Sequence, residues 1–495
     1  MFGKRELEVA LIFFPARYIK KQYLRATFNL NFLTMKKIFV TMIALSSVFS
    51  VYAGGLLTNT NQNIAFLRNP ARGASMEIDA AYTNPAGLAF LDGEGFFISV
   101  NNQSAFQKRT ITADFAPFKG FGGNAVKEFE GETKAWFIPN LQAAYKTGDW
   151  AFSVNIGVAG GGGTVDFTTG LPSFESLVAV APIIMNSQMP TGTPPEMLFG
   201  GYSLESQLKG SSITYGAQAG ASYAANEYFS VYGGFRFVYV DNGYEGYLKD
   251  IKIGRDGTMI PATMLLADPN LERLRGLIGE KKLDCRQTGS GIAPIIGWDF
   301  KWEKLNVGVK YEFKTGVELE TKVTDHLGLE EIYKDGDKTP YDIPAFLSVG
   351  AQYDVMPNLR VSAGYHHFFD SGAKMENGKQ EYIDGGINEF LLGVEYRIND
   401  LFLVSCGTQI TRTGVNDAYQ SDMSFSLHSY SVGFGGAIDV TKKLRVNVAY
   451  FFTNYSDWTK ISKEDYNPMI PVATEGKNTF SRTNQTFGIG VDYKL

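Results

Sequence analysis

Apolar side chains alternate with glycine or polar side chains along many stretches of this 495-residue chain. The pattern is clearest at the carboxyl end, where glycine or charged residues separate five apolar ones: Phe487, Ile489, Val491, Tyr493 and Leu495. A strand with this period of two has one apolar face and one polar face. An apolar residue at the chain end is typical of the closing strand of a lipid-embedded β-barrel.

The same alternation recurs in roughly fourteen segments between about residue 93 and the carboxyl end, and an even number is the rule for single-chain bacterial barrels. In one hairpin, residues 292–300 and 305–313 share an apolar face across a turn at 301–304. No apolar run after the first fifty residues approaches the roughly 20 residues of a membrane helix. The sequence therefore predicts an all-β, transmembrane, antiparallel β-barrel of about 14 strands over residues 94–495.

Short and long connections alternate along this predicted barrel. The short ones lie at about 146–149, 224–227, 301–304, 355–358, 399–400 and 441–443, and the long ones at about 108–134, 160–205, 253–286, 325–341, 370–385, 413–424 and 456–480. Bacterial barrels have short periplasmic turns and long outside loops. We therefore expect the amino end to be periplasmic or to lie in the lumen.

Residues 35–53 have the three parts of a secretory signal peptide: the basic Met35-Lys36-Lys37, an apolar core, and small residues before Gly54. Residues 1–34 precede this export signal, and we interpret them as an over-extended gene start. Residues 1–53 carry eight Lys/Arg and two Asp/Glu, so removing them changes the net charge from -5 to -11. Such an acidic chain argues against a nucleic-acid partner. The predicted location is a Gram-negative outer membrane, and we expect a monomer there.

Residues 54–93 show no alternation, although they are rich in proline and glycine and suit compact turns. A barrel of roughly fourteen strands has a lumen too wide for its own side chains to fill. We therefore predict that this segment is a plug inside the barrel.

Within that segment, residues 79–88 read Asp-Ala-Ala-Tyr-Thr-Asn-Pro-Ala-Gly-Leu. This stretch, followed by an all-strand remainder, resembles the FadL-type outer-membrane transporters of long-chain fatty acids and other hydrophobic compounds. The resemblance covers residues 54–495 and implies a fourteen-stranded barrel with an amino-terminal hatch that contains Asn84, Pro85 and Ala86. The alternative is that these residues form an Asx-type turn fixed by the proline.

A run of four glycines, Gly160, Gly161, Gly162 and Gly163, closes the predicted third strand. Consecutive glycines weaken ladder packing and favour a bulge or kink. In the family that this chain resembles, a kink in the third strand opens a gap in the wall, so the resemblance implies a lateral exit here. The alternative is a flexible transition from strand to loop.

Two of the predicted outside loops are unusually apolar. The first contains Phe174, Leu177 and Val178, and the second has helical spacing up to Gly279 through Leu271, Leu274, Leu277 and Ile278. In the second loop, Asp268 and Pro269 match a helix N-cap and first helical residue. We expect the two loops to form a capture groove for an apolar ligand, or to pack on each other and close the top of the barrel.

Three basic residues, Arg236, Lys310 and Arg360, lie on the predicted polar face and are candidate partners for an acid headgroup. Lumen charges more often pair with Asp, Glu or the plug, and that alternative stays open. His366 and His367 are strand neighbours that point to opposite faces, which spoils a shared metal site. We predict no metal or cofactor.

The sequence contains no Gly-x-Ser-x-Gly, Walker or Cys-x-x-Cys motif. We therefore predict a protein that is not an enzyme and that moves hydrophobic small molecules, such as long-chain fatty acids, into outer-membrane lipid. A general or solute-selective porin is the main alternative and requires an open lumen without a plug. An outer-membrane lipase or protease is a more distant one.

Overall fold

The computed structural model describes residue 58 and residues 60–495. The predicted extension (1–34) and signal peptide (35–53) lie outside the described residues. So do residues 54–57 and 59 of the predicted plug.

Fourteen antiparallel strands of the described chain form a closed barrel, as the alternation predicted. These strands are β1 (Gly95–Asp114), β2 (Val126–Thr147), β3 (Trp150–Phe167), β4 (Phe199–Ala224), β5 (Phe229–Arg255), β7 (Lys281–Trp302), β8 (Leu305–Glu312), β11 (Phe346–Met356), β12 (Leu359–Phe368), β13 (Ile387–Arg397), β14 (Phe402–Arg412), β15 (Ser429–Thr441), β16 (Leu444–Tyr455) and β18 (Gly476–Lys494). Shorter segments extend the wall on one side of the molecule: β6 (Thr258–Pro261), β9 (Glu318–Asp325), β10 (Lys338–Pro340) and β17 (Trp458–Ser462). The ring closes where β1 pairs with β18.

The α-helices of the described chain are short. They are α1 (Ile64–Arg68), α2 (Ala80–Thr83), α3 (Pro172–Ala179), α4 (Ala181–Asn186), α5 (Ala262–Leu265) and α6 (Arg275–Ile278). Single 3-10 turns lie at Pro85–Phe90, Ala116–Gly120, Pro195–Met197, Glu272–Leu274, Asp370–Gly372 and Glu376–Tyr382. Among the described residues, no helix has the length and apolar character needed to cross a membrane.

The barrel is apolar outside and polar inside over the height of a membrane. Large exposed apolar side chains form the outer belt, including Phe96, Val100, Leu141, Phe152, Val154, Ile156, Phe235, Phe237, Ile296, Phe390, Leu392, Val394, Phe434 and Ile489. Buried polar side chains occupy the alternate positions, including Ser99, Gln142, Gln218, Ser230, Asn306, Lys310, Glu389 and Asn447. This inverted distribution is the one that lipid on the outside requires.

Several strands are much longer than a membrane crossing requires. A tilted membrane strand needs ~9–11 residues, whereas β4 has 26 and β5 has 27. Residues 108–114, 126–134 and 476–480, which the sequence analysis assigned to loops, are strand in the structure. The reason is that the polarity of the two faces reverses above the membrane, where Ile111 and Phe480 point inward and are fully buried.

Replacing an outer belt residue with a charge should destabilise the barrel. Leu392 lies in the middle of the apolar face of β13 and is 59% exposed, so Leu392→Lys places an ammonium group in hydrocarbon. We expect a loss of ~2–4 kcal/mol in the free energy of unfolding, measured by denaturant titration in lipid vesicles. Thr112→Lys, on the outward face of the extension of β1, is the control and should change stability little. Equal stability of the two variants would contradict the placement of the lipid belt.

Candidate functional site

Residues 60–92, called here the amino-terminal segment, lie within the ring of strands. Nearly every residue of this segment is buried. Near its start, Asn63 Nδ2 donates to Gln142 Oε1 of β2 at 2.6 Å, and Asn101 Oδ1 of β1 accepts from the backbone of Ile64. On the far side of the ring, Asn306 Nδ2 of β8 donates to the carbonyl of Ala74 at 2.9 Å. Polar inward side chains therefore satisfy the backbone of a segment that has little regular structure of its own.

The motif Asn84-Pro85-Ala86 lies against the inner wall formed by β4, β5 and β7. Asn84 ends α2 and precedes the 3-10 turn Pro85–Phe90, and its side chain makes no capping hydrogen bond. Instead, Asn84 Nδ2 donates to Asp299 Oδ2 at 3.2 Å and to the carbonyl of Trp298 at 3.1 Å. Ser222 donates to the carbonyl of Pro85, and Ser230 donates to the carbonyl of Ala86. The amide thus joins the segment to the wall rather than closing an Asx-type turn.

Buried ion pairs join the first half of the segment to the opposite wall. Arg68 Nη1 lies 2.5 Å from Glu395 Oε2 of β13, and the Arg68 side chain is completely buried. Arg72 holds both carboxylate oxygens of Asp79, and Glu77 accepts from Arg445 of β16 at 3.0 Å. Breaking a buried pair by removing one partner is strongly destabilising because the other charge remains.

Glycines in the wall permit the segment to approach this closely. A Cβ atom on Gly393 of β13 would overlap the side-chain oxygen of Asn69, and one on Gly433 of β15 would overlap the carbonyl oxygen of Leu67. Neither position tolerates a side chain while the segment is in place.

The ladder between β2 and β3 is interrupted. Pairing holds at Glu132↔Asp166 and resumes only at Leu141↔Ile156. Residues 133–140 of β2 therefore face residues 157–165 of β3 without ladder pairs, and this stretch is called here the seam. Each strand keeps its other neighbour, β1 or β4. At one end of the seam the Asn140 side chain replaces a missing backbone partner, because its Nδ2 donates to the carbonyl of Ile156 at 3.1 Å.

The four glycines lie on the β3 side of the seam, inside a strand that continues to Phe167. The pairing of β3 with β4 shifts register between Val158 and Gly160 and again between Gly161 and Gly163. Gly161 has φ 106°, and a Cβ atom there would overlap the carbonyl oxygen of Ser212. The run therefore forms two bulges within a strand, and it is not a transition from strand to loop.

Residues on the β2 side of the seam were not singled out by the sequence analysis. Trp136 and Phe137 are consecutive yet 70% and 73% exposed, because a bulge opposite Ser104 shifts the inward positions of β2 from odd to even numbers. Pro139, inside a strand, was the available signal, since proline cannot donate to a ladder.

On the outer surface the seam opens into a groove of about 640 Å³. Apolar side chains make up most of its lining, including Val100, Leu141, Ile156, Val158, Tyr215 and Phe237.

Above the membrane, the inward faces of the long strands and the loops form an apolar core, called here the vestibule. Its buried residues include Ile111, Phe115, Phe118, Phe129, Val178, Tyr244, Leu248, Leu274, Ile278, Met423 and Phe480. A cavity of about 220 Å³ lies within it, lined in part by Phe174, Leu177 and Leu277. Three of the seven predicted capture residues thus line one cavity. Val178, Leu274 and Ile278 are instead core residues between the loops, and Leu271 packs on that core.

Polar contacts from three other loops or strand ends hold helix α3, which contributes Phe174 and Leu177 to the cavity. Asp422 Oδ2 accepts from the backbone of Ser173 at 2.7 Å, and burial raises the pKa of the Asp422 carboxyl. Asn467 Nδ2 donates to Ser176 Oγ at 2.8 Å. On the opposite side, Glu175 is buried and pairs with Lys127 of β2. The position of α3, and hence the shape of the cavity, is fixed by these contacts.

The predicted helix from Pro269 is wrong in its start. Asp268 Oδ1 accepts from the backbone and side-chain nitrogens of Asn270, which closes a turn. Regular structure begins only with the 3-10 turn Glu272–Leu274 and continues as α6, which ends at Ile278 with Gly279 as its C-cap, in agreement with the predicted end.

The three candidate headgroup cations do not lie together. Arg236 and Lys310 border a chamber of about 50 Å³ between the wall and the amino-terminal segment. Arg236 pairs with Glu312 at 2.9 Å, and Lys310 Nζ donates to the carbonyl of Tyr82 at 2.9 Å. Arg360 pairs with Asp354 beside a short turn. Each of these cations thus already has a partner within the protein.

Removing the carboxylate of Glu395 should loosen the amino-terminal segment. Glu395→Ala leaves the buried Arg68 guanidinium without its counter-ion, at a cost of ~3–5 kcal/mol. We expect faster amide hydrogen exchange in residues 60–79 and little change in the barrel strands. Asp354→Asn breaks the partly exposed pair with Arg360 and is the control, with an expected cost of ~0–1 kcal/mol. Unchanged exchange in residues 60–79 of Glu395→Ala would show that this ion pair does not anchor the segment.

Comparison with known proteins gives similarity in structure only. No family model matches the chain, and no curated protein matches it. The fold is similar to a Pseudomonas aeruginosa FadL homologue, with a TM-score of 0.60, 14% identity, and coverage of 89% of this chain and 99% of that one. It is also similar to the Pseudomonas putida toluene transporter TodX, with a TM-score of 0.52, 16% identity, and coverage of 91% and 100%. The Ralstonia pickettii toluene transporter TbuX has a TM-score of 0.50, 16% identity, and coverage of 86% and 98%. The chain therefore has the fold of the FadL-type barrels.

Proposed function

We propose that this protein moves hydrophobic small molecules, such as long-chain fatty acids, across a Gram-negative outer membrane. The ligand is captured in the vestibule, descends towards the amino-terminal segment, and leaves sideways through the seam into membrane lipid. The observation that carries this proposal is the interruption of the β2–β3 ladder beside an apolar surface on each side of the wall.

A sideways exit avoids the free-energy cost of exposing the hydrocarbon chain of the ligand to water. Transferring a sixteen-carbon chain from apolar surroundings to water costs about 12 kcal/mol, at ~0.8 kcal/mol per methylene. An aqueous pore would impose that cost, whereas an opening in the wall leads from an apolar vestibule directly to lipid.

An apolar patch lies on the inner wall at the height of the seam. Ala159, which lies in the β3 part of the seam, belongs to a buried cluster with Val238 and Val240 of β5. Side chains from β9 and from the segment around β10 complete this cluster: Val317, Leu319, Tyr341 and Ile343. Below it the wall becomes polar at Gln218 and Arg236. An apolar ligand therefore finds favourable surroundings at the height of the seam and not below it.

The amino-terminal segment favours a carrier over the porin alternative. Its residues are buried within the ring of strands, and ion pairs and hydrogen bonds hold it to opposite walls. In this proposal it is a hatch that blocks ions and directs the ligand to the side. TodX and TbuX, both described as toluene transporters, support an apolar cargo.

A disulfide across the seam should stop transport. A Cβ atom at Gly163 would lie 3.3 Å from Thr133 Cγ2, so the side chains of a Thr133→Cys/Gly163→Cys pair would touch across the seam. In a background with Cys285→Ala and Cys406→Ala, we expect oxidation to remove most uptake of a labelled neutral alcohol, dodecanol, into vesicles. Reduction of the same protein should restore it.

The matched control is Ser211→Cys/Gly243→Cys, since these residues are direct partners in the continuous β4–β5 ladder. Oxidation of the control should leave uptake unchanged. Comparing each protein with its own reduced form cancels any effect of the substitutions on folding. Equal uptake by the oxidised and reduced seam variant would rule out the seam as the route.

Ion conductance separates the carrier from a porin. Because the amino-terminal segment occupies the lumen, the purified protein in planar bilayers should show little steady current. Glu395→Ala should raise this current if loss of the Arg68 anchor displaces the segment. A large steady current through the unmodified protein would favour the porin.

A further inference from the structure

Two arginines face each other between the vestibule and the amino-terminal segment. Arg109 of β1 and Arg482 of β18 are direct partners in the strand pairing that closes the barrel. Arg109 is 4% exposed and shares its inward face with the fully buried Ile111. Like charges directly opposite each other on neighbouring strands are destabilising. We therefore expect a contact that offsets the repulsion between the two guanidinium groups.

Neither arginine has a negatively charged partner within the described part of the chain. No carboxylate oxygen forms an ion pair with either guanidinium, in contrast to Arg68, Arg236 and Arg360. Arg109 Nε donates only to the neutral Gln107, at 2.7 Å. The Arg482 guanidinium lies 4.7 Å from the centre of the Tyr455 ring, and its Nε is buried without a hydrogen-bond partner. An anion between the two would supply the missing acceptor.

Neutral polar groups without partners surround the same position. Thr133 of β2 is 5% exposed, and its hydroxyl has no hydrogen-bond partner among the described residues. Asn484 of β18 lies opposite Gln107, and its side-chain oxygen is also buried and unpartnered. Thr133 belongs to the seam, so this throat cluster (Arg109, Arg482, Thr133 and Asn484) lies beside the proposed exit.

The surroundings of the throat cluster change from apolar to polar along the barrel axis. Towards the outside, the next inward pair is Ile111 and Phe480, both completely buried in the vestibule core. Towards the periplasm, Gln103 Nε2 donates to the carbonyl of Asn61 in the amino-terminal segment at 3.0 Å. A molecule with an apolar tail and an anionic end matches this change when its tail points outward.

We propose that Arg109 and Arg482 bind the anionic headgroup of an amphipathic ligand, such as an alkyl carboxylate, whose tail lies in the vestibule. Guanidinium groups suit this role because their planar donors match a carboxylate bidentately. The inference rests on the proposed function and makes it specific, since the throat cluster would hold the charged end beside the seam. Arg236, Lys310 and Arg360 are not needed for this contact.

The test compares two ligands that differ only in charge. Binding of dodecanoate and of dodecanol to the full-length protein in lipid nanodiscs is measured by equilibrium dialysis at about pH 8, where a carboxylic acid is ionised. Binding to empty nanodiscs is subtracted. We expect Arg109→Gln and Arg482→Gln each to weaken dodecanoate binding about tenfold or more, while dodecanol binding stays the same. Arg482→Lys, which keeps the charge, should retain part of the affinity for dodecanoate.

Arg286→Gln is the matched control, because Arg286 lies on the outer face of β7 and pairs with Asp241 there. It should leave both affinities unchanged. Heat-modifiable migration on gels, together with dodecanol binding, reports whether each variant is folded. Equal loss of both ligands in a folded variant, or no loss of dodecanoate, overturns the role of the arginines. Failure of the unmodified protein to bind either ligand would contradict the proposed function itself.

Discussion

A peptide group surrounded by lipid has no water to bond with, and this constraint accounts for most of the structure. The strands close into a ring, so each backbone donor and acceptor within the membrane finds a neighbour. Where the β2–β3 ladder is interrupted, the chain compensates only in part, through the Asn140 side chain and the carbonyl of Ile156. Backbone groups without hydrogen-bond partners are costly in lipid, so we infer that the interruption of this ladder serves a function.

The closed ring also determines what can fill it. At the height of the amino-terminal segment the wall is polar, and the segment is held by ion pairs on one side and by neutral hydrogen bonds on the other. Above the throat cluster the interior becomes an ordinary apolar core. Polar contacts stabilise the lower region and apolar packing stabilises the upper one, although both belong to one sheet. The difference arises because the outer surroundings change from lipid to water along the same strands.

The alternation of apolar and polar residues was sufficient to predict the barrel, its strand number and its short turns, since lipid enforces that period on every crossing. It did not predict the extensions of β1, β2 and β18. There the outward residues, such as Lys108 and Thr112, are polar, while apolar residues such as Ile111 point inward, so a search for an apolar outer face assigns these stretches to loops.

Features of the candidate site could be predicted only where neighbouring residues in the sequence form a recognisable pattern. The glycine run predicted a distortion of β3, and the bulges at Gly160–Gly163 are that distortion. The partners of Arg236 and Lys310 could not be read from the sequence, because Glu312 and Tyr82 meet them only across the folded wall. Arg109 and Arg482 are separated by most of the chain, and only closure of the first strand on the last brings them together.

The length of the β4–β5 hairpin has a consequence for where a solute first meets this protein. From Tyr215 to the start of β4, the strand continues for roughly 50 Å at ~3.3 Å per residue, and for less in height because barrel strands tilt. A vestibule raised on these strands would present its opening well away from the lipid surface, so a solute would first contact protein in water rather than at the lipid boundary.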